Sequence, residues 1–418
     1  MEASYFVTVG KELNRLVEAL GLRLRRNVSV DDSRFRQLAF SSHEFGVVDE
    51  MRLQSILMRE VPKGAAEWSL GAGASSAEAP FRPPIAPEIG VTAQRMCVPI
   101  RLQGNLLGYL WVLEGDEPLD DGELQSVMAA TETIGVIIHR DMLADALDRS
   151  HARELVRELV GDDAASRRHA AADLLDRDLF VGDESIVAMV VTIHDKDRSL
   201  SDIERSLLTA NLERLCRRMS GRRAISLVLR GHGLVMLSDE DPMVKGSSKQ
   251  ALAAELVDRL QREFEGGSPH VGIGSPAAEL TDFHISYTQA QRAAQVARVI
   301  PGLGAVARSS DLGVYGMLAR LPEGELRDEP LGASLEKLLG GGEKGEQLAT
   351  TLETFLDNAG DVQRTASELY VHRTTLYYRL QRIEELTGAD LADGNDRLAL
   401  HLGLKLARLT GRRREAGT

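Results

Sequence analysis

The residues best suited to chemistry lie near the end of the chain, in the run H-R-T-T-L-Y-Y-R-L-Q-R from His372 to Arg382. It contains three arginines, two threonines and two tyrosines but no carboxylate, in a chain of formal net charge −13. An arginine fork can bridge O6 and N7 of guanine, and threonine or tyrosine hydroxyls can bond phosphate oxygens or base edges. The chemistry offered is recognition of nucleic acid. Leu376, Leu380 and Ile383 recur at three- and four-residue spacing and so form one apolar stripe at about 100° per residue. Thr374, Tyr378, Gln381 and Arg382 lie opposite it, with Arg373 and Arg379 on the flanks. An ordinary amphipathic helix with a solvated basic face has the same composition, so the elements that position the run decide between the two.

Upstream, Leu348, Leu352, Phe355, Leu356 and Ala359 mark one face of a first helix. Gly360 stops it, because a residue without Cβ takes a positive φ cheaply. Asp361 is placed to cap a second helix through its carboxylate, and that helix buries Val362, Ala366 and Leu369. Ala366 is small enough for another helix to cross closely. A brief turn at Tyr370, Val371 and His372 breaks the period, and a third helix starts at Arg373. A short helix, a tight turn and a longer helix with a basic outer face favour DNA binding.

The stretch D-N-A-G-D-V-Q-R-T-A-S-E-L-Y-V-H-R-T-T-L-Y-Y-R-L-Q-R-I-E-E-L-T-G resembles the C-terminal helix-turn-helix of the PucR/CdaR family of bacterial transcriptional regulators. Its R-x-A, V-H-R-x-T-L and R-L pattern is also similar to the DNA-binding end of the Fis protein. By position, the resemblance places His372, Arg373, Thr375, Tyr377, Tyr378 and Arg379 where such helices touch DNA. Thr374 and Arg382 join them from the outward face. Tyr377 and Tyr378 stand where Fis carries a basic pair, which implies fewer phosphate contacts.

The chain has 418 residues. At about 100–200 residues per domain it holds two to four. With 43% hydrophobic residues it reads as globular. Cys97 and Cys216 are its only cysteines, far apart and each among apolar neighbours, which points to small core residues in a reducing cytosol and away from disulfides or zinc. No signal peptide is apparent, and no apolar run approaches the ~18 residues of a membrane span. The expected location is cytoplasmic, and nucleoid-associated when bound. The acidic balance disfavours indiscriminate polyanion binding, so any DNA contact is local and salt-sensitive.

Residues 1–145 read as a sensor. Leu13, Leu16, Val17 and Leu20 mark a helix; Val28 to Val30 is a strand, with Asp31 and Asp32 as turn residues; a second helix covers Glu50 to Arg59. Gly71 to Pro87 reads as a mobile loop. Arg95 to Leu102 and Leu106 to Leu113 flank a hairpin turn at Gln103, Gly104 and Asn105. A long helix follows the polar stretch Asp116 to Asp121, with Leu124, Val127, Met128, Ile134, Ile137, Ile138 and Met142 at helical spacing, and continues through Leu147, Leu155 and Leu159. The stretch V-P-I-R-L-Q-G-N-L-L-G-Y-L-W-V-L-E with the D-D-G-E-L helix start resembles GAF domains attached to this regulator family. That implies a site for a small-molecule effector whose identity the residues leave open. Trp68 and Trp111 read as core or surface residues, with pocket lining as the alternative. The long helix is a candidate dimer seam, and Gly135 would admit a second helix closely.

Residues 146–180 read as a helical linker and 181–320 as an α/β sandwich. Ile186 to Ile193 is an apolar strand, Ser201 to Met219 a helix, and Ala224 to Leu229 pairs with Leu234 to Leu237. A helix at Gln250 to Phe264, a strand at His270 to Ile273 and a helix at Ile285 to Val299 complete a βαββαβα order. That order, with V-G-I-G-S-P and S-Y-T-Q-A-Q-R-A-A-Q-V-A-R, resembles the GGDEF-like domain of the same regulators. True GGDEF domains are nucleotide cyclases that hold Mg²⁺ with carboxylates at the hairpin turn. Here the turn is Arg230, Gly231, His232 and Gly233, and one imidazole is a poor magnesium ligand. No catalytic residue, metal site or cofactor is expected. His232 reads as a hairpin cap, and His194, Asp195, Lys196 and Asp197 as a solvated loop. Nucleotide binding and a dimerisation platform both remain open for this domain.

Pro242 to Lys249 is a polar insertion. Residues 321–346 read as a hinge whose L-E-K-L-L portion is a short helix, 347–410 as the helix-turn-helix domain and 411–418 as a basic tail. Asn395 to Leu409 is a last helix with Leu398, Leu402, Leu406 and Leu409 on one side; it braces the bundle or meets a partner copy. Arg412 to Arg414 reads as a solvated end or as extra phosphate contact. The expected fold is multidomain α+β: a GAF-like sensor, a degenerate GGDEF-like sandwich and an all-α C-terminus. The expected function is a ligand-responsive, homodimeric, sequence-specific regulator that binds double-stranded promoter DNA. The alternatives are a nucleotide-binding or nucleotide-cyclising enzyme and a sensor scaffold that does not bind DNA.

Overall fold

The computed structural model describes residues 6–41, 45, 48–58, 63–182, 185–193, 199–219, 222–239, 248–264, 266–321 and 333–413. They form two units that divide after Arg149.

The first unit is built on a four-stranded antiparallel sheet of β1 (Val28–Asp32), β2 (Gln37–Phe40), β3 (Arg95–Leu102) and β4 (Asn105–Leu113), in the order β2-β1-β4-β3. The β3–β4 hairpin turns at Gln103 and Gly104, both at positive φ (51° and 83°), the pairing that matches strand twist. Alternation sorts the strands into two faces. Val28, Val30, Met96, Val98, Ile100, Leu110 and Val112 pack against α1 (Phe6–Leu24) and the first half of α4 (Asp121–Leu159), which contributes Val127, Ile134, Ile137 and Ile138. The other face carries Cys97, Tyr109 and Trp111 beneath α3 (Lys63–Gly71) and the segment after it, while Met51 of α2 (Glu50–Met58) packs with Ala65 of α3.

Three expectations need correction here. Asp31 is not a turn residue: it lies in β1 opposite Tyr109 and is buried, where the charges of Arg52 and Arg95 act on it. Only Asp32 shapes the turn, its Oδ1 accepting from the backbone N–H groups of Arg34 and Arg36 at 2.8 and 2.9 Å. The stretch Gly71 to Pro87 is tied down. Phe81 exchanges two backbone hydrogen bonds with Cys97 and so covers the open edge of β3, while Arg82 forks onto the Glu114 carboxylate at 2.7 and 2.8 Å. Gly135 faces Ile100 of its own sheet, so the helix it lets approach is its own. The outward side of α4 instead exposes Met128, Val136, Met142, Leu143 and Leu147.

The second unit has a five-stranded sheet: β5 (Ile186–Thr192), β6 (Ala224–Val228), β7 (Gly233–Ser238), β8 (His270–Ile273) and β9 (Val306–Arg308), ordered β6-β7-β5-β8-β9 and antiparallel except for β8–β9. Central strand β5 is buried on both faces, which is why its sequence reads as one apolar run. Ile186, Ala188 and Val190 face the last turns of α4, α5 (Ala164–Asp176) and α8 (Phe283–Val299). Val187, Met189 and Val191 face α6 (Asp202–Cys216) and α7 (Ser248–Glu263). Ser201 and Glu204 form a reciprocal capping box at the start of α6. The V-G-I-G-S-P glycines serve packing, since a Cβ on Gly272 would collide with the Ala290 carbonyl of α8. The parallel pairing of β9 with β8 and the short helix α9 (Val314–Leu318) carry no periodicity in the sequence that announces them.

The C-terminal part is a bundle of α10 (Ala333–Leu339), α11 (Gly342–Asp357), α12 (Val362–Glu368), α13 (Arg373–Thr387) and α14 (Gly394–Leu409). The L-E-K-L-L helix is part of this bundle: Leu335 and Leu338 join Leu352, Phe355, Ala366, Leu376, Leu380 and Ile383 in its core. Helix α14 is apolar on two sides. Leu400 and Leu404 enter the bundle core, whereas Leu406 and Leu409 pack on Ala293, Val296 and Ala297 of α8. This corrects the single stripe expected there; Leu398 and Leu402 are exposed.

Candidate nucleic-acid interface

Local sequence fixes each joint of the trihelical unit. Helix α11 ends where Ala359 and Gly360 take positive φ (52° and 84°). Asp361 then caps α12, its Oδ1 accepting from the N–H groups of Gln363 and Arg364 at 2.8 and 2.9 Å. Ala366 and the fully buried Thr365 let α12 lie close to the core. Tyr370 takes φ 53° and reverses the chain, with the Val371 N–H returning to the Ala366 carbonyl at 3.0 Å. His372 is the N-cap of α13: its Nδ1 accepts from the Thr374 N–H at 3.4 Å and lies 2.8 Å from the Thr374 hydroxyl. Nδ1 therefore acts as acceptor, and the ring proton belongs on Nε2. Gly388, in the left-handed region, ends the helix.

On α13, Leu376, Leu380 and Ile383 are buried as their spacing requires. His372, Arg373, Thr374, Thr375, Tyr377, Tyr378, Gln381 and Arg382 are exposed. Tyr378 is 71% accessible. Arg379 differs: it is half-buried, and its Nη1 donates to the Thr351 hydroxyl of α11 at 3.2 Å. Arg382 pairs with Glu385 at 2.7 Å across one turn on the solvent side. The outward surface also includes Gln363, Arg364 and Ser367 of α12 and Tyr370, which is 96% accessible. These were not singled out in the sequence. The signal was available in the cap, because residues directly after Asp361 must begin a helix at the surface.

The basic tail needs correction at Arg413. Its side chain is 1% exposed and donates from Nε to Glu346 at 2.8 Å and from Nη2 to the Thr350 hydroxyl at 2.9 Å. It also pairs with Glu353, which accepts from Arg408 and Lys405 as well. Burial alone would raise the Glu353 carboxyl, but the Arg408 hydrogen bond and the surrounding cations hold it below the usual range. Arg413 is thus a clamp within the bundle. Arg414 lies outside the described residues.

The β6–β7 turn carries the second candidate group of polar side chains. His232 closes it through its carbonyl, which accepts from the Leu229 N–H at 2.8 Å. Its Nε2 lies 2.9 Å from the Tyr287 hydroxyl, which also accepts from Gln291 at 2.8 Å. Burial pushes the imidazole down to about 4 and the phenol up to about 12, so both are neutral near pH 7. No group of three or more His, Cys, Asp or Glu side chains is arranged to hold a metal among the described residues. The run His194 to Asp197 lies outside the described residues, as does Pro242 to Ser247. No helix among the described residues is long and apolar enough to cross a membrane.

Residues 348–406 match the PucR C-terminal helix-turn-helix domain, and residues 161–296 match the GGDEF-like domain. The proline-responsive transcriptional activator PutR of Bacillus subtilis is 23% identical over 410 residues, covering 94% of this chain and 96% of PutR. The DNA-binding transcriptional activator AdeR of the same organism is 21% identical over 392 residues, covering 92% and 90%. The carbohydrate diacid regulator of Escherichia coli is 33% identical over 142 residues, 29% of this chain and 37% of that protein. With a PucR helix-turn-helix at its end, a GGDEF-like domain before it and regulators similar along nearly its whole length, the chain belongs to the PucR/CdaR family of transcriptional regulators.

Proposed function

We propose that the protein reads promoter DNA by placing the N-terminal half of α13 in the major groove. Arg373 reaches base edges, and Thr374, Thr375, Tyr377 and Tyr378 bond bases or phosphates. His372 sets the start of the helix, Arg382 contributes charge from the next turn, and Arg379 holds α13 against α11. Tyr370 and Arg364 extend the contact to the backbone. The observation that carries this reading is the outward face of α13: it exposes cations and hydroxyls, without an acid before Glu384, on a helix whose opposite face is locked into a buried core.

Two copies act together. The exposed row of Met128, Val136, Leu143 and Leu147 on α4 is an apolar stripe that a second α4 would cover, with Val136 and Leu143 at heptad spacing. Two copies would present two recognition helices to half-sites about 34–36 Å apart. The N-terminal unit is the effector-responsive part, and the GGDEF-like sheet serves as a platform: its hairpin offers no carboxylate for Mg²⁺, and its histidine is engaged with Tyr287. We place the protein in the cytoplasm, at the nucleoid when bound. A mobility shift on the promoter beside its own gene, with sedimentation analysis of the free protein, tests this. A retarded complex that survives nonspecific competitor and a dimeric free protein are expected. A monomer that retards no fragment contradicts it.

A further inference from the structure

Strand β6 ends the five-stranded sheet, and among the described residues no strand covers its outer edge. The Leu229 N–H donates to the His232 carbonyl at 2.8 Å and the Ser238 N–H to the Arg223 carbonyl at 2.9 Å, which fixes the bonded pairs with β7. Alternation then turns the backbone groups of Ser226 and Val228 outward. A cavity of about 190 Å³ lies along this edge. Ser226, Leu227 and Val228 form its floor; Arg153 and Arg157 reach it from the end of α4, Arg205 and Thr209 from α6. Among the described residues no carboxylate lines it.

One of these arginines has a structural duty. Arg153 donates from Nε to the Ser226 carbonyl at 3.1 Å and from Nη2 to Glu213 at 2.6 Å, which guards the edge against a further strand. The other two are not explained in this way. Arg157 is exposed and pairs with Glu154 of its own helix at 2.6 Å, a solvated contact that contributes little. Arg205 is half-buried and donates to the Leu229 carbonyl at 3.3 Å, with no carboxylate partner among the described residues. Glu213 is itself divided between Arg153 and Arg217, the latter at 3.6 Å. Four arginines thus share two glutamates here, in a chain of formal net charge −13. Like charges gathered round one cavity repel each other until an anion joins them.

We infer that this cavity binds a phosphate group, with Arg157 and Arg205 donating to its oxygens and Arg153 adding charge from the floor. A phosphate carries a charge of about −1.5 to −2 near pH 7 and three strong acceptor oxygens. That matches both the surplus of cations and the arrival of donors from two separate helices. A carboxylate brings less charge and is satisfied by a single guanidinium fork. The cavity is smaller than the roughly 300–1,000 Å³ of sites for drug-sized ligands. It therefore takes inorganic phosphate or a small phosphomonoester rather than a nucleotide. The GGDEF-like domain then has an input of its own where α4 joins it, beyond its role as a platform. This site does not depend on the DNA-reading proposal.

Full-length protein is titrated with inorganic phosphate and with methyl phosphate by calorimetry and thermal melting, against acetate and chloride at matched ionic strength. Saturable binding with Kd of about 1 mM or tighter and a rise in Tm are expected for the phosphate group, with acetate and chloride inert. A response to inorganic phosphate alone assigns the free ion; one to methyl phosphate, alone or as well, assigns a phosphomonoester. Arg157→Gln and Arg205→Gln should each weaken binding roughly tenfold, the scale of one charge-assisted hydrogen bond. Arg214→Gln, an exposed arginine of α6 that does not line the cavity, and Arg373→Ala on α13 should leave it unchanged. No saturable response to either phosphate, or an equal response to acetate, overturns the inference. So does undiminished binding in Arg157→Gln and Arg205→Gln, or an equal loss in Arg214→Gln, which would report diffuse charge in place of a site.

Discussion

Arg379 Nη1 donates to Thr351 Oγ1 at 3.2 Å, and that hydroxyl in turn donates to the Gln347 carbonyl at 2.8 Å. The contact turns one of the three arginines of α13 back onto α11, while Arg373 at the start of the helix stays exposed. Arg379→Ala should therefore lower stability by about 1–2 kcal/mol, the scale of one charge-assisted hydrogen bond partly open to solvent, and leave base preference unchanged. Urea unfolding beside a binding-site selection checks this; altered preference with unaltered stability would place Arg379 on the DNA instead.

Arg373→Ala should cost specific binding on the order of 1–3 kcal/mol and relax preference at one base position. Tyr378→Phe should cost less, about 1 kcal/mol for a single hydrogen bond. Competition titrations with single-base operator variants separate the two roles, because a phosphate contact lowers affinity for every variant equally.

Glu353 and Arg413 are each about 5% exposed or less, and the pair joins the end of the chain to α11. Glu353→Ala removes the carboxylate that Arg413, Arg408 and Lys405 share and should destabilise the C-terminal bundle by roughly 3–5 kcal/mol. Asp357 points the same way in pH: burial opposes its ionisation, yet His401 and Lys405 draw it down to about 2. A lowered carboxyl supplies stability above its unfolded value of about 4, lost as pH falls towards 2. Acid unfolding followed by circular dichroism should show the bundle weakening across that window, and less steeply in Asp357→Asn.

Asp31 carries the opposite sign. Its carboxyl is raised to about 7 in the folded protein. Its contribution is fully present below about pH 4 and is lost as pH rises through 7, by up to about 4 kcal/mol. Asp31→Asn should remove this dependence and make the first unit more stable than the native sequence at pH 8. Thermal melts read by tryptophan fluorescence report on that unit; an identical pH profile in the variant would count against the buried carboxyl.

What could be read from the sequence was local. Gly360, Asp361 and the Leu376–Leu380–Ile383 spacing define their helix ends and buried stripe by themselves, and the two cores flanking β5 followed from its unbroken apolar run. What could not be read depended on distant partners. Asp31 and Asp32 are adjacent identical residues, yet one caps a turn and the other is buried beside Arg52 and Arg95. Arg412 to Arg414 looked like a solvated tail because nothing nearby announces that Glu353 and Glu346 are waiting for Arg413. The outward face of α13 was legible, but the return of Arg379 to Thr351 was not, since it requires the crossing of α11 and α13.

The most direct measurement is a fluorescence-anisotropy titration of the full-length protein on the promoter fragment beside its own gene, repeated with Arg373→Ala and across a range of salt. Tight, salt-sensitive binding that exceeds binding to a scrambled fragment is expected, with the excess largely lost in the variant. Equal binding to both fragments, unchanged by Arg373→Ala, would contradict the claim that α13 reads DNA.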